Sequence, residues 1–188
     1  SAGKGNAILA ETPGGRLLLV DGGPDASVLR ALGTALPYWR RHLDAVVLTS
    51  ANASAAGGLP DVFERYRVGA FIRPEEQESR TLEAALAAST GSAETLIAHR
   101  GDRFVIDGVS LEALWPPHTP AAMSVDTGAL VLRLSYGATS FVIEKGLSPH
   151  AAAWVRSAYA GAYAHAIIIG TSTPTETYFS DGASISFK

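Results

Sequence analysis

Two short apolar runs, Ala7–Glu11 and Arg16–Asp21, flank Thr12-Pro13-Gly14-Gly15 near the start of the chain. A proline that fixes φ, followed by two glycines that accept positive φ, makes a tight reversal, so the pair predicts a β-hairpin. Asp21-Gly22-Gly23-Pro24 then breaks the strand. Behind Asp25, a residue able to cap a helix, Val28, Leu29, Leu32 and Leu36 recur at helical spacing until Pro37 ends or bends the helix. Ala45–Thr49 is short and mostly apolar, the signature of a strand covered on both faces. Leu59–Tyr66 predicts a helix opened by Pro60, Ala70–Arg73 a strand, and Ser79–Ser89 an alanine-rich helix.

From Thr95 the period falls to two: Thr95–Ala98, Arg103–Ile106, Val109–Trp115 after an Asp107-Gly108 turn, Ala129–Tyr136, and Thr139–Glu144 after Gly137-Ala138. Ser148-Pro149 reads as an N-cap followed by proline, opening a helix through Trp154 and Val155. His165–Gly170, Glu176–Ser180 and Ser184–Phe187 close the chain as strands. Hairpins mixed with β-α-β steps, and no internal repeat, predict an α/β fold of two sheets with helices outside.

Composition narrows the class. With 188 residues a single domain, 1–188, is the expectation. Hydrophobic residues at 47 % and charged ones at only 18 % exclude intrinsic disorder. A net charge of −3 argues against a free-standing nonspecific nucleic-acid binder, which needs a basic surface to release counterions. The absence of cysteine removes disulfides, thiolate nucleophiles and thiolate-bound zinc. No apolar run approaches the ~18–20 residues of a membrane span, and no apolar stretch of a signal peptide follows Ser1–Gly5.

Four segments, in order, carry a resemblance. They are Gly3–Leu9 with Thr12-Pro13-Gly14-Gly15 and Val20-Asp21-Gly22-Gly23; Leu43–Thr49 with Gly57-Gly58-Leu59-Pro60; Leu114-Trp115-Pro116-Pro117; and Leu130–Phe141. Together they resemble the metallo-β-lactamase-like C-terminal domain of the ComEC competence family, DNA-uptake channels of the bacterial inner membrane. The resemblance implies a metallo-β-lactamase-like αββα sandwich of two mixed β-sheets with helices on the outside. It also implies that the chain is a fragment of a longer membrane protein, on the extracytoplasmic face of the cytoplasmic membrane.

Active members of the resembled family carry a His-x-His-x-Asp-His run directly after the central strand, because two zinc or manganese ions need several ligands converging from one loop. That register here holds Ser50, Asn52, Ser54 and Ala55, none of them a competent ligand. Where the family's metal-bridging aspartate follows a later strand, this chain has Glu144-Lys145-Gly146, and the aspartate of the first loop is Asn6. The family's later His-His-Gly loop has no counterpart between Pro149 and Gly170. The scaffold signals persist while the ligand positions, Gly146 included, have changed. The resemblance therefore implies a domain with hydrolysis lost and no metal cofactor, in a structural role or docking to single-stranded DNA or the membrane channel of the same protein.

Several residues carry two readings. Asp21 lies next to the metal site in the resembled fold, or else accepts backbone N–H groups of the Gly22-Gly23 turn. Ser50, Asn52 and Ser54 form a polar ligand pocket, or close a loop and cap the helix at Leu59. Lys145 either is an exposed turn residue or, if Asp21 and Glu144 face the former site, supplies the positive charge that two dications no longer do. Arg40, Arg41, Arg65 and Arg67 are candidate DNA contacts, with Arg73 nearby in sequence, or a solvated face. The five histidines, His42, His99, His118, His150 and His165, are scattered without ligand spacing, and no Gly-x-Ser-x-Gly elbow is present. Two other functions compete with the docking role: a metal-dependent nuclease or phosphodiesterase holding Mg²⁺ or Mn²⁺ through Asp21, Asp25 and Glu144, and a small-molecule or peptide binding module in the vacated cleft.

Overall fold

In the computed structural model, which describes residues 7–75, 80–118, 128–164, 166–169, 177–180 and 183–187, two sheets pack face to face with helices against their outer surfaces. The hairpin forms as β1 (Ile8–Glu11) and β2 (Leu17–Val20), paired antiparallel. After α1 (Ser27–Ala35) come β3 (His42–Val47), a four-residue α2 (Ala53–Ala56), α3 (Leu59–Arg65), β4 (Arg67–Arg73), α4 (Arg80–Ser89) and β5 (Glu94–Ile97). Strands β2 to β5 run parallel, and β1 pairs antiparallel with β12 (Ala183–Phe187), which pairs with β11 (Thr177–Ser180). The second sheet has the order β10 (Ala166–Ile169), β9 (Thr139–Ile143), β8 (Val131–Tyr136), β7 (Val109–Trp115), β6 (Arg103–Ile106), and α5 (Pro149–Ala158) and α6 (Ala160–Ala164) lie between β9 and β10.

The alternation of side chains sorts the core into layers. Leu18 and Val20 of β2 join Ala45, Val47 and Ile72 against Leu111, Leu132, Leu134 and Phe141 of the other sheet. Leu17 and Leu19 point the other way, packing with Val28 and Leu32 of α1 and Leu59, Val62 and Phe63 of α3. On the far side Ala151 and Val155 of α5 cover Trp115, Val131 and Val142. Fully burying each such side chain contributes about 1.5–3 kcal/mol, so the two-sided burial of β2 and β3 sets their register firmly.

Local differences from the expected elements have local causes. Asp25 accepts the Ser27 N–H at 2.8 Å from one position outside the cap, and Ala26 occupies the N-cap of α1 with no side-chain bond. Helix α2 is too short for any periodicity to reveal it. Asn52 caps that helix, whereas Gly58 stands at the N-cap of α3. Ser148 caps α5 as expected, accepting from the Ala151 N–H at 3.3 Å.

The turns at the other end of the sandwich are tied across the sheets. The Asp107 carboxylate, on the β6–β7 turn, accepts from Thr12 Oγ1 at 2.7 Å and from the Gly14 N–H at 2.6 Å on the β1–β2 turn. Of the two turn glycines only Gly15 takes a positive φ, of 83°; at Gly14 it is contact that counts, since a Cβ there would press on the Asp107 carboxylate and displace it. Those two hydrogen bonds, Thr12 first, hold the Asp107 carboxyl below its ordinary range. A depressed folded-state value adds stability above the unfolded value and loses it as the pH falls through the folded one. Urea melts at stepped pH should show a stability gap between wild type and Asp107→Ala that is full above the ordinary carboxylate range and narrows as the pH falls below it. A gap independent of pH would mean that the ionised carboxylate is not what these donors hold.

Candidate functional site

The carboxyl ends of β2, β3 and β9 meet at one edge of the sandwich, where parallel α/β sheets open their clefts. Asp21 follows β2 directly and is fully buried, at 0 % exposure, with φ of 61°. A left-handed aspartate is uncommon and persists only where its surroundings determine it. Here they do: its N–H donates to the Val47 carbonyl at 2.8 Å, Oδ1 accepts from the Thr49 N–H at 2.7 Å, and Oδ2 accepts from Thr49 Oγ1 at 2.7 Å. The donors thus come from the neighbouring strand end and not from the Gly22-Gly23 turn. Oδ2 also accepts from Lys145 Nζ at 3.0 Å, an ion pair between one side chain that is sealed and another that is 9 % exposed.

That pair joins the two sheets, because Asp21 ends a strand of one and Lys145 follows β9 of the other. Backbone bonds run beside it. Ser50 and Ala129 form an antiparallel bridge, the Leu130 N–H donates to the Thr49 carbonyl at 2.7 Å, and the Ala51 N–H to the Gly128 carbonyl at 2.6 Å. Gly146, next to Lys145, has φ of 71°, and a Cβ there would lie 2.5 Å from Ser50 Oγ. Lys145 therefore approaches Asp21 from a turn that lies directly on Ser50.

The loop after β3 is closed on itself. Asn52 Nδ2 donates to Ser50 Oγ at 2.8 Å, while Asn52 Oδ1 accepts from Ser54 Oγ at 2.6 Å and from the Ala55 N–H at 3.1 Å. Ala55 is buried, and its carbonyl accepts from the Gly22 N–H at 2.7 Å. Ser50, Asn52, Ser54 and Ala55 thus sit together beside Asp21, Lys145 and Gly146, with their polar groups engaged in turn and cap bonds.

Glu144 is adjacent to Lys145 in sequence but its carboxylate is held by Arg156 of α5, at 2.6 Å from Nη2 and 3.1 Å from Nε. A residue twelve positions away gave no sequence signal, since the pairing depends on how α5 returns over β9. The arginines separate as well. Arg40 pairs with Glu11 at 2.7 Å, and Arg73 makes two bonds to Glu83 at 2.8 and 2.9 Å. Arg41, Arg65 and Arg67 are exposed near the amino ends of β3 and β4, the opposite edge of the sheet from Asp21. Asp25 is exposed and bonded to Ser27, away from Lys145 in its contacts.

His99 and His118, separate in sequence, stack at 4.6 Å between ring centres, with Glu75 Oε2 3.4 Å from His99 Nε2. Beside them Arg100 lies over the Trp154 ring at 5.3 Å. Among the described residues no group of three or more His, Cys, Asp or Glu is placed to hold a metal ion. Asn6 and His165 lie outside the described residues, as does the Gly170–Thr173 cluster.

No protein-family profile and no curated protein sequence matches the chain. Solved structures do. A metallo-beta-lactamase with the HARLDQ motif from Cronobacter sakazakii superposes with a TM-score of 0.58 at 18 % identity, covering 88 % of this chain and 67 % of that one. The Rm3 metallo-beta-lactamase matches with a TM-score of 0.57 at 18 % identity over 89 % of this chain and 72 % of its own. Zn²⁺-bound PqqB from Methylobacterium extorquens gives 0.53 at 17 % identity over 78 % and 56 %. The chain has the metallo-β-lactamase fold. Identity at this level speaks to the fold alone, and the chemistry of the edge has to be read from its own residues.

Removing one member of a buried ion pair leaves an uncompensated charge, which costs ~3–5 kcal/mol, whereas replacing both by neutral groups costs far less. Lys145→Met should therefore lower the unfolding free energy by about that amount, and Asp21→Asn combined with Lys145→Met should recover most of it. Denaturant melts of the two variants against wild type measure the difference. A loss within ~0.5 kcal/mol for Lys145→Met would mean that the pair is a surface contact only.

Proposed function

We propose that this chain is a non-hydrolytic metallo-β-lactamase-fold domain of a ComEC-type DNA-uptake protein, serving as a structural or docking element. The observation that carries the loss of hydrolysis is the Asp21–Lys145 pair, in which a side chain of the protein supplies the positive charge beside the fully buried carboxylate of the edge. The donor chemistry agrees. A hydroxyl, an amide, a second hydroxyl and a methyl at positions 50, 52, 54 and 55 do not fit the two zinc or manganese ions that the resemblance implies, and each polar group among them is already bonded. The same facts weigh against the oxygen-ligand nuclease, whose three carboxylates take different partners: Lys145 for Asp21, Ser27 for Asp25 and Arg156 for Glu144.

The ComEC-type context rests on the four sequence segments given above and on their order. In that context the domain stands beside a membrane channel, on the extracytoplasmic side, and its partners are the channel part of the same protein and a passing single DNA strand. Among the described residues no helix is long and apolar enough to cross a membrane, which suits a domain carried by such a channel.

Elemental analysis, thermal melting and a cleavage assay together test the proposal. A metal supplied at a hundred times its dissociation constant adds about 2.7 kcal/mol to stability, several degrees of melting temperature for a chain of this size. We expect substoichiometric zinc and manganese, a melting temperature unchanged by excess Zn²⁺, Mn²⁺ or chelator, and no cleavage of single- or double-stranded DNA in Mn²⁺. Stoichiometric metal together with cleavage that Asp21→Ala abolishes would overturn it.

A further inference from the structure

Three large apolar side chains stand exposed among the described residues, and two of them are neighbours: Tyr38 at 81 % and Trp39 at 68 %, with Val105 on β6 elsewhere. Scattered exposed apolar residues need no explanation, but two aromatic rings side by side at a loop tip do. The loop that carries them is braced. The Arg40 N–H donates to the Pro37 carbonyl at 3.0 Å, the Arg41 N–H to Trp39 at 3.1 Å, and Arg41 Nε to the Tyr38 carbonyl at 3.0 Å. The rings contact each other edge to face, 4.9 Å apart at 85°, and among the described residues no other ring contact draws either of them into the protein.

Guanidinium groups surround this tip. Arg41 lies over the Tyr66 ring at 5.6 Å, and its carbonyl accepts from the Arg67 N–H at 2.8 Å, which puts Arg67 beside it; Arg65 ends the helix just before. Among the described residues none of the three makes an ion pair. Glu11 and Asp44, the nearby carboxylates on β1 and β3, are taken by Arg40 and Arg16, leaving Glu64 as the one exposed acid next to Arg65. The result is a local positive surface on a chain whose net charge is −3.

We propose that Tyr38, Trp39, Arg41, Arg65 and Arg67 form a docking surface for anionic phospholipid headgroups. Tryptophan and tyrosine favour the headgroup layer because each ring has an apolar body and a polar hydrogen-bonding edge, and arginines beside them meet lipid phosphates. The geometry selects a lipid over a nucleic-acid strand. Successive bases stack on parallel ring faces, and an edge-to-face pair offers two faces at right angles, one of them covered by its neighbour. A wedge of that shape suits insertion between headgroups. The surface lies at the amino ends of β3 and β4, so docking there turns the Asp21–Lys145 edge away from the bilayer. The proposal concerns a different surface from the one that carries the functional reading above, and each stands or falls without the other.

Vesicle co-sedimentation and tryptophan fluorescence test it with the intact chain. Vesicles of phosphatidylcholine containing about a third phosphatidylglycerol should bind, pure phosphatidylcholine far less, and binding should weaken at about 0.5 M salt. Trp39 emission should shift to the blue on binding, since Trp115 is already buried and Trp154 is half-buried against it. Tyr38→Ser with Trp39→Ser should abolish the shift, and Arg65→Gln with Arg67→Gln should weaken binding roughly 25-fold, about fivefold for each charge. All four side chains are exposed, so both variants should melt with wild type. Absence of binding to the anionic vesicles, or binding that both variants leave unchanged, would overturn the proposal. So would a thymidine oligonucleotide that quenches Trp39 and displaces the vesicles, the result expected of a strand-docking surface.

Discussion

A buried carboxylate must be compensated, and most of the upper edge of this sandwich follows from how Asp21 is. Its two oxygens collect a backbone N–H, a hydroxyl and an ammonium, from strand ends in both sheets. The left-handed backbone at Asp21 is held by the same contacts, since it brings the carboxylate onto Thr49 while the main chain turns into Gly22. Lys145 reaches it from a turn that Gly146 lets lie against Ser50. The Ser50–Ala129 bridge then closes the seam between the sheets. Electrostatics, backbone conformation and sheet pairing are in this way one constraint seen from three sides.

An edge of this kind is pre-neutralised. In a metal-binding arrangement acidic groups and imidazoles face one another until cations join them; here positive and negative side chains already pair, Lys145 with Asp21 and Arg156 with Glu144. At the opposite edge, around Tyr38 and Trp39, Arg41, Arg65 and Arg67 make no ion pair among the described residues. The fold thus keeps the frame of its structural neighbours with the charges of this edge paired to one another.

The sequence made the frame legible where local rules govern. The Pro13-Gly14-Gly15 reversal, the alternation through Val109–Trp115 and the Ser148-Pro149 cap each act within a few residues, and each element formed within a residue or a few of its expected place. What stayed hidden depends on distance along the chain. Lys145 meets Asp21 across 124 positions, His118 stacks on His99, and Arg156 swings back onto Glu144, none with a spacing to betray it. Charge reasoning offered the Lys145 contact with Asp21 as one of two readings, and it did not foresee that Arg156 would hold the Glu144 carboxylate. Exposure was equally invisible: Tyr38 and Trp39 look like core residues until the loop is seen to carry them outward.

The contact between Gly146 and Ser50 also limits which substitutions the edge accepts. A side chain at 146 collides with Ser50 and strains a backbone at φ of 71°, a larger one at 50 meets the turn that Gly146 forms, and exchanging Lys145 alone strands the Asp21 charge. The three positions are therefore interlocked, and a change at any one of them is felt at the other two. Sequence variation at this edge should come in concert, with positions 50, 145 and 146 changing together rather than singly.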